Sequence, residues 1–372
     1  MTTLPPGLLP EGLRDRLPPE AGAASRLLRA VQDCMHGFGY ERVSPPMAEF
    51  EEGLAGRLKA GQGRDLLRIV DPVSRRTLAL RPDITAQVGR IAATRLAHRP
   101  RPLRLCYGGA ILKLHATQLR PERELLQVGA ELIGTDTVPA VREILRLAVD
   151  ALAAAGVEDI TVDLTLPDLV QTLAETSLPI SADKVEQVRA ELDEKDAGAI
   201  SALGAEAYLP LIGAAGPFDT AMEKLRAIDD GGALKTRLDA LEEIAGPIAG
   251  KAALTLDPTE RHGFEYQSWV GFSLFGKGIS GEIGRGGSYT ILHQDGAEES
   301  AVGFSLYIDP LIDAGLGRRD APRLFLPLGT PDNEAAAWRE QGWRTVAALS
   351  ESDGGEALGC THHLIDGEAR PY

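Results

Sequence analysis

Two neighbouring segments, Leu103 to Lys113 and Arg123 to Ile133, read as long strands joined only by a polar loop around Thr117 to Arg120. No helix fits between them, so the order is mixed and the chain is not wound as βαβ units throughout. In the second segment Leu126, Val128, Ala130 and Leu132 share one face, and Leu125, Gln127, Gly129 and Glu131 share the other. Gln127 and Glu131 therefore point the same way. The commonest meaning of such alternation is a strand with one solvated side.

Around this pair the periodicity changes. Leu27, Leu28, Val31, Met35 and Phe38 recur at helical spacing, with Gly37 and Gly39 marking the stop. Tyr40 to Val43 is short and extended, and Pro45 and Pro46 end it. A loop rich in glycine and charge continues through Arg64, and two strands flank Asp71-Pro72. The second, Thr77 to Arg81, runs into Pro82-Asp83, after which Ile84, Val88, Ile91 and Leu96 outline a helix, so Asp83 stands at a helix start. A helix over 139–155 and a strand through Ile160, Val162 and Leu164 follow. From about Ser181 to Gly246 the composition turns to Ala, Glu, Asp, Lys and Leu with helical periodicity, which predicts an inserted helical subdomain. Strands return at Ala253 to Leu256 and Phe264 to Phe275. Past Pro322 a strand, a helix and a strand predict a small α/β piece. The expected boundaries are 1–175 and 251–320 for two parts of one domain, 176–250 for the insertion and 321–372 for the last segment.

The 372 residues are 44% hydrophobic and 25% charged, ordinary globular usage that excludes disordered and fibrous classes. Lysine plus arginine number 39 against 54 acids, and the net charge of −15 opposes a polyanion over the whole surface. No apolar run approaches the roughly 20 residues that span a bilayer, and the first residues lack a signal pattern, so the expected location is the cytoplasm. Cys34, Cys106 and Cys360 are three, far apart and without CxxC spacing, as expected of reduced thiols.

Several candidate sites are weak. Gly276, Gly278 and Gly281 satisfy GxGxxG after a strand, but Gly284, Gly286, Gly287 and then Ser288 to Ile291 follow, which predicts a glycine-rich hairpin and no dinucleotide turn. Cys360, His362 and His363 lack a spaced fourth ligand, so no metal is expected. His36, His98 and His293 stand apart from any nucleophile or metal spacing. Asp83 and Thr85 are more pointed, a carboxylate and a hydroxyl two residues apart at a helix mouth. Such a carboxylate also has a purely local use, capping backbone amides for about 1 kcal/mol.

Taken in order over about 300 residues, these segments resemble histidyl-tRNA synthetase and, more closely, its paralogue family, the regulatory subunits of ATP phosphoribosyltransferase. The opening Leu9 to Asp15 resembles the family's start. Gly39 to Pro46 resembles class II motif 1, which implies a self-dimer through that region. Arg81 to Gln87 is similar to the regulatory branch, Arg104 to Tyr107 and Arg123 to Glu131 resemble the two strands of motif 2, and Ala301 to Pro310 resembles motif 3. The implied fold is α+β, a class II aminoacyl-tRNA synthetase-like antiparallel sheet flanked by helices, with a helical insertion and a small α/β C-terminal piece.

The departures separate regulator from enzyme. Adenylate formation needs cations aimed at phosphate oxygens, and losing one such donor costs about a hundredfold in rate. The motif 2 arginine falls on Lys113, its adenine-reading glutamate on His115, the motif 3 arginine on Pro310 and the histidine-specific arginine on His262. Lysine lacks the bidentate fork and proline has no cation. After Ala321 stand four arginines and no lysine against eight acids, opposite to a tRNA-binding surface. Asp83, Thr85, Gln127, Glu131 and Tyr289 occupy positions where the synthetase holds the amino group and imidazole of histidine. Gln267 and Ser288 replace a tyrosine and an arginine of that pattern. The resemblance thus implies a non-catalytic subunit without cofactor, tRNA or membrane. It would act with the short-form catalytic subunit in the first step of histidine biosynthesis and make it responsive to histidine. An aberrant histidyl-tRNA synthetase is the alternative, and a paralogue serving another partner a third.

Overall fold

The computed structural model describes residues 7–54, 66–115, 121–229, 231–260, 267–293 and 295–372. They form two compact units, one up to Gly317 and one from Arg318 to Tyr372. The first opens with α1 (Glu20–Gly37), where Leu27, Val31 and Met35 are buried at the i, i+4 spacing of a one-sided helix. Gly39, at φ +83°, then turns the chain in a left-handed conformation that glycine adopts without strain. Next come β1 (Glu41–Arg42), β2 (Ala48–Phe50), α2 (Glu51–Leu54), β3 (Arg68–Val70), β4 (Thr77–Leu80) and α3 (Thr85–Ala93). The long pair is β5 (Leu103–Leu112) and β6 (Glu124–Ile133), followed by α4 (Val138–Ala154) and β7 (Thr161–Thr165).

The helical stretch holds α5 (Leu169–Glu175), α6 (Ala182–Asp193), α7 (Ala197–Ala202), a 3-10 helix over Glu206–Ala214, β8 (Gly216–Pro217), α8 (Phe218–Ile228) and α9 (Lys235–Ala245). Its buried residues Val188, Leu192, Leu225 and Leu241 belong to the same apolar cluster as the sheet. Strands β9 (Ala253–Leu256), β10 (Gln267–Phe275), β11 (Gly284–Leu292) and β12 (Glu298–Tyr307), then α10 (Asp309–Asp313), complete the unit. Residues Phe264 to Tyr266 of the expected strand lie outside the described residues.

Nine strands make one sheet in the order β1-β5-β6-β12-β11-β10-β7-β9-β8, antiparallel from β5 through to β7, with parallel pairs at β1–β5 and β7–β9. A three-stranded antiparallel sheet, β2-β4-β3, stands apart. Cys106, Val128, Leu132, Val302 and Phe304 of the large sheet pack with α1 and α4 residues such as Val31, Ile144 and Leu152. On the opposite face Leu105, Tyr107, Tyr289 and Ala301 pack under Ile84, Val88 and Ala92 of the α3 region.

Covering by α3 overturns the expectation of a solvated strand face, for Gln127 is 0% and Glu131 1% exposed. A strand's own alternation records two faces but not what lies over them. The GxGxxG glycines lie between antiparallel β10 and β11, with Gly278 and Gly281 at positive φ and a strand, not a helix, following. No helix among the described residues is long and apolar enough to cross a membrane.

The second unit contains β13 (Arg323–Leu326), α11 (Asp332–Glu340), β14 (Arg344–Ala347) and an unforeseen hairpin of β15 (His362–Ile365) and β16 (Glu368–Pro371). Its sheet order is β14-β13-β15-β16, with both β13 pairings parallel. The rings of His362 and His363 stack edge-on against Trp343 and Tyr372.

Candidate functional site

The sheet register sets four strands' side chains over one spot on the α3 side. Glu131 pairs with Leu105 and Gly303, Gly129 with Tyr107 and Ser305, and Gly287 with Gly303. Glycine at three of these places leaves a hollow. A Cβ on Gly303 would overlap the Glu131 carboxylate and lie 2.7 Å from the Ala130 carbonyl oxygen, and one on Gly129 would lie 2.6 Å from Tyr107 Cζ. The resulting small pocket is lined by Thr85, Glu131, Gln267, Arg285, Tyr289 and Ser305 among others. Its open space is about that of a water molecule, so a larger ligand requires the lining side chains to move aside.

A continuous chain of hydrogen bonds runs through it. Tyr289 Oη donates to Glu131 at 2.8 Å and Tyr107 Oη at 3.2 Å. A phenol has one proton, so with that proton on Glu131 the Tyr107 oxygen accepts from Ser305 Oγ at 2.8 Å and Thr85 Oγ1 at 3.1 Å. Ser305 Oγ in turn accepts from Gln127 Nε2 at 2.8 Å. The same Nε2 donates to Asp83 at 2.6 Å, and Gln127 Oε1 accepts from the Ile84 amide at 2.9 Å. Asp83 also accepts from the Thr85 amide at 2.7 Å. The local capping bond is thus present, but the second oxygen of Asp83 is committed to the strand face.

Burial pushes the Glu131 carboxyl up to about 8, against the hydrogen bond from Tyr289, and the nearby Asp83 charge adds to the rise. The Tyr107 hydroxyl is raised by its burial and then by Glu131. A desolvated acid of this kind favours a ligand that brings a cation or an N–H donor.

The lining also includes Arg285. Its Nε and Nη2 donate to the two oxygens of Glu282 at 2.6 and 2.7 Å, and Ser273 Oγ donates to Glu282 at 2.9 Å. Gln267 Nε2 donates to the Gly286 carbonyl at 2.9 Å. Ser288 takes no part in the pocket. Its Oγ accepts from the Trp269 and Val270 amides at 3.1 and 3.2 Å, within the register shift of β10 between Gln267 and Gly271.

All five expected residues, Asp83, Thr85, Gln127, Glu131 and Tyr289, are therefore joined in one network. Of the four degenerate positions, the three that are described do not belong to that network. Lys113 Nζ lies 5.5 Å from the Tyr307 ring centroid, His115 is exposed, Pro310 sits in the first turn of α10, and His262 lies outside the described residues. Tyr107, Ser305 and Arg285 were not foreseen. Parity along β5, β11 and β12 was the available signal, since Arg285 stands four residues before Tyr289 on one face. Elsewhere His293 meets Glu299 at 2.9 Å, and no cluster among the described residues has the makeup of a metal site.

The histidyl-tRNA synthetase family model matches residues 12–311. The ATP phosphoribosyltransferase regulatory subunit of Paramagnetospirillum magneticum is 41% identical over 367 residues, spanning 96% of each chain. The chain belongs to the family of ATP phosphoribosyltransferase regulatory subunits. Its counterpart from Rhodospirillum centenum is 42% identical, over 92% of this chain and 89% of that one. Among solved structures, an ATP phosphoribosyltransferase regulatory subunit/histidyl-tRNA synthetase from Bacillus halodurans superposes with a TM-score of 0.80 at 23% identity, covering 96% of this chain and 97% of the other. That likeness fixes the fold of this regulatory-subunit family member as the class II synthetase-like α+β architecture.

Proposed function

We propose that this chain is a non-catalytic regulatory subunit that binds L-histidine in the pocket around Glu131. It then adjusts the activity of a separate, short-form ATP phosphoribosyltransferase catalytic subunit. The observation that carries the reading is the buried network from Asp83 through Gln127, Ser305 and Tyr107 to Glu131 and Tyr289. It offers acceptors to nitrogen-borne protons in the wall of a small pocket. Polar groups at this depth are costly unless they bond one another, so the network holds its acceptors in fixed positions for an incoming donor.

The absence of chemistry is supported by the positions that would have to handle phosphate. Pro310 has no cation, and Lys113 offers a point charge beside the Tyr307 ring. Regulation needs only that histidine bind two assembly states unequally, and a coupling of about 1–3 kcal/mol suffices. The reading includes a self-dimer through the Gly39 to Pro46 region, a cytoplasmic location and no tRNA partner.

The test is to mix the pure chain with a short-form catalytic subunit. Co-elution, activation of phosphoribosyl transfer and inhibition by histidine are expected, together with histidine binding by calorimetry. Histidine-dependent ATP–pyrophosphate exchange by this chain alone would instead establish the synthetase reading.

A further inference from the structure

We propose that an arginine-lined cleft on the α1–α4 side of the large sheet binds a phosphorylated small molecule. The cleft has a volume of about 820 Å³, within the range of small-molecule sites. Its walls are Phe38 just after α1, Arg104 on β5, Pro139, Arg142 and Arg146 on α4, and Pro247 in a 3-10 turn over Gly246–Ile248. Arg104 shares a strand face with Cys106, opposite to Leu105 and Tyr107, so this cleft and the Glu131 network lie on different sides of the sheet. Three arginines line it with one acid, Glu143, whereas the whole chain sets 39 cations against 54 acids. The proposal is independent of the histidine reading.

The lining acid is already neutralised. Glu143 accepts from Arg104 Nε and Nη2, both at 2.8 Å, and from Tyr40 Oη at 3.0 Å. Arg142 and Arg146 are placed differently. Among the described residues Arg142 gives only Nη1, to Glu243 at 3.2 Å, and keeps Nε and Nη2. Arg146 reaches Asp150 through Nε at 3.7 Å, beyond hydrogen-bond length, and Lys251 holds that same carboxylate at 2.6 Å. Exposed pairs of this kind are weak, so an incoming anion displaces them readily. The two arginines are four residues apart on one side of α4, and their side chains leave the helix about 6 Å from each other. A phosphate, with several oxygens to fill two planar forks, suits this spacing better than the two oxygens of a carboxylate. Phe38, Pro139 and Pro247 give the rest of such a molecule an apolar wall.

The test is calorimetry on the full chain with two probes, adenosine monophosphate and pyrophosphate. Wild type should bind both. Arg142→Gln/Arg146→Gln should weaken both by about tenfold or more, the usual worth of a charged hydrogen bond. Arg142→Lys/Arg146→Lys, which keeps the charges but not the forks, should fall between that variant and wild type. Lys277→Gln removes an exposed, ion-paired cation elsewhere on the surface and should change neither probe. Both arginine side chains are about half exposed, so the variants should melt as wild type does. Equal binding by wild type and the glutamine variant overturns the proposal, as does a Lys277→Gln effect of the same size. Wild type that binds neither probe at millimolar concentration also overturns it. If the glutamine variant then changes its oligomeric state on gel filtration, the cleft is instead an interface between copies of this chain.

Discussion

Replacing Glu131 with glutamine keeps the shape and a hydrogen-bond acceptor but removes the ionisable group. In the fold this carboxyl takes up its proton near pH 8, whereas its ordinary value is 4.5. Between those values the native chain binds more protons here than the unfolded chain does, so stability falls as pH rises. The contribution is fully present below the unfolded value and is gone above the folded one. Each unit is worth about 1.4 kcal/mol, so wild type should lose about 3 kcal/mol relative to Glu131→Gln between about pH 5.5 and about pH 7.5. Urea denaturation of both proteins at the two pH values, followed by circular dichroism, measures this as a change in their stability difference. Equal differences at both pH values would refute the claim that burial holds this acid protonated. The variant should also bind histidine more weakly, because the group able to carry a negative charge opposite a cationic ligand has gone.

Gly303→Ala should abolish histidine binding in calorimetry and cost about 1–3 kcal/mol in stability, since its methyl group competes with the Glu131 carboxylate for one space. Unchanged affinity would mean that the ligand lies elsewhere. Lys195, left-handed at φ +59°, donates to Asp257 at 2.7 Å and to the buried Thr259 at 2.6 Å, tying the α6–α7 turn to the segment that leads toward Gln267. Lys195→Met should raise amide exchange over 257–260 and weaken histidine binding several-fold. Exchange identical to wild type would show that the tie does not hold the segment.

Much of the architecture was legible because helix and strand periods are local. The Leu27, Val31, Met35 stripe and the alternation in β5 and β6 each point to one element without reference to the rest of the chain. The sequence also joined Asp83 to Thr85 and Gln127 to Glu131, as two pairs. What joins the pairs is a crossing of elements: α3 lies over β6, and Gln127 reaches both the Ile84 amide and Asp83. A reading of β6 alone therefore turned its polar face to water. Tyr107 and Ser305 looked like ordinary strand residues until register set them beside Gly129. The β15–β16 hairpin escaped for a different reason. Its four-residue strands carry few apolar residues, and their support comes from pairing and from rings such as Trp343 and Tyr372.

Burial also explains how a polar network can persist while positions around it change. In the network from Asp83 to Tyr289 each polar group satisfies another, so altering one strands its neighbour at a cost of about 1–3 kcal/mol. Such a set is kept or lost together. Lys113, His115 and Pro310 stand outside that chain of bonds, at a strand end, an exposed loop and a helix start. None of the bonds in that chain depends on these positions, so exchanging a side chain there leaves the network itself intact. A chain of this fold can on these terms vary at such outlying positions while the network from Asp83 to Tyr289 stays whole, which is the part the proposed histidine response requires.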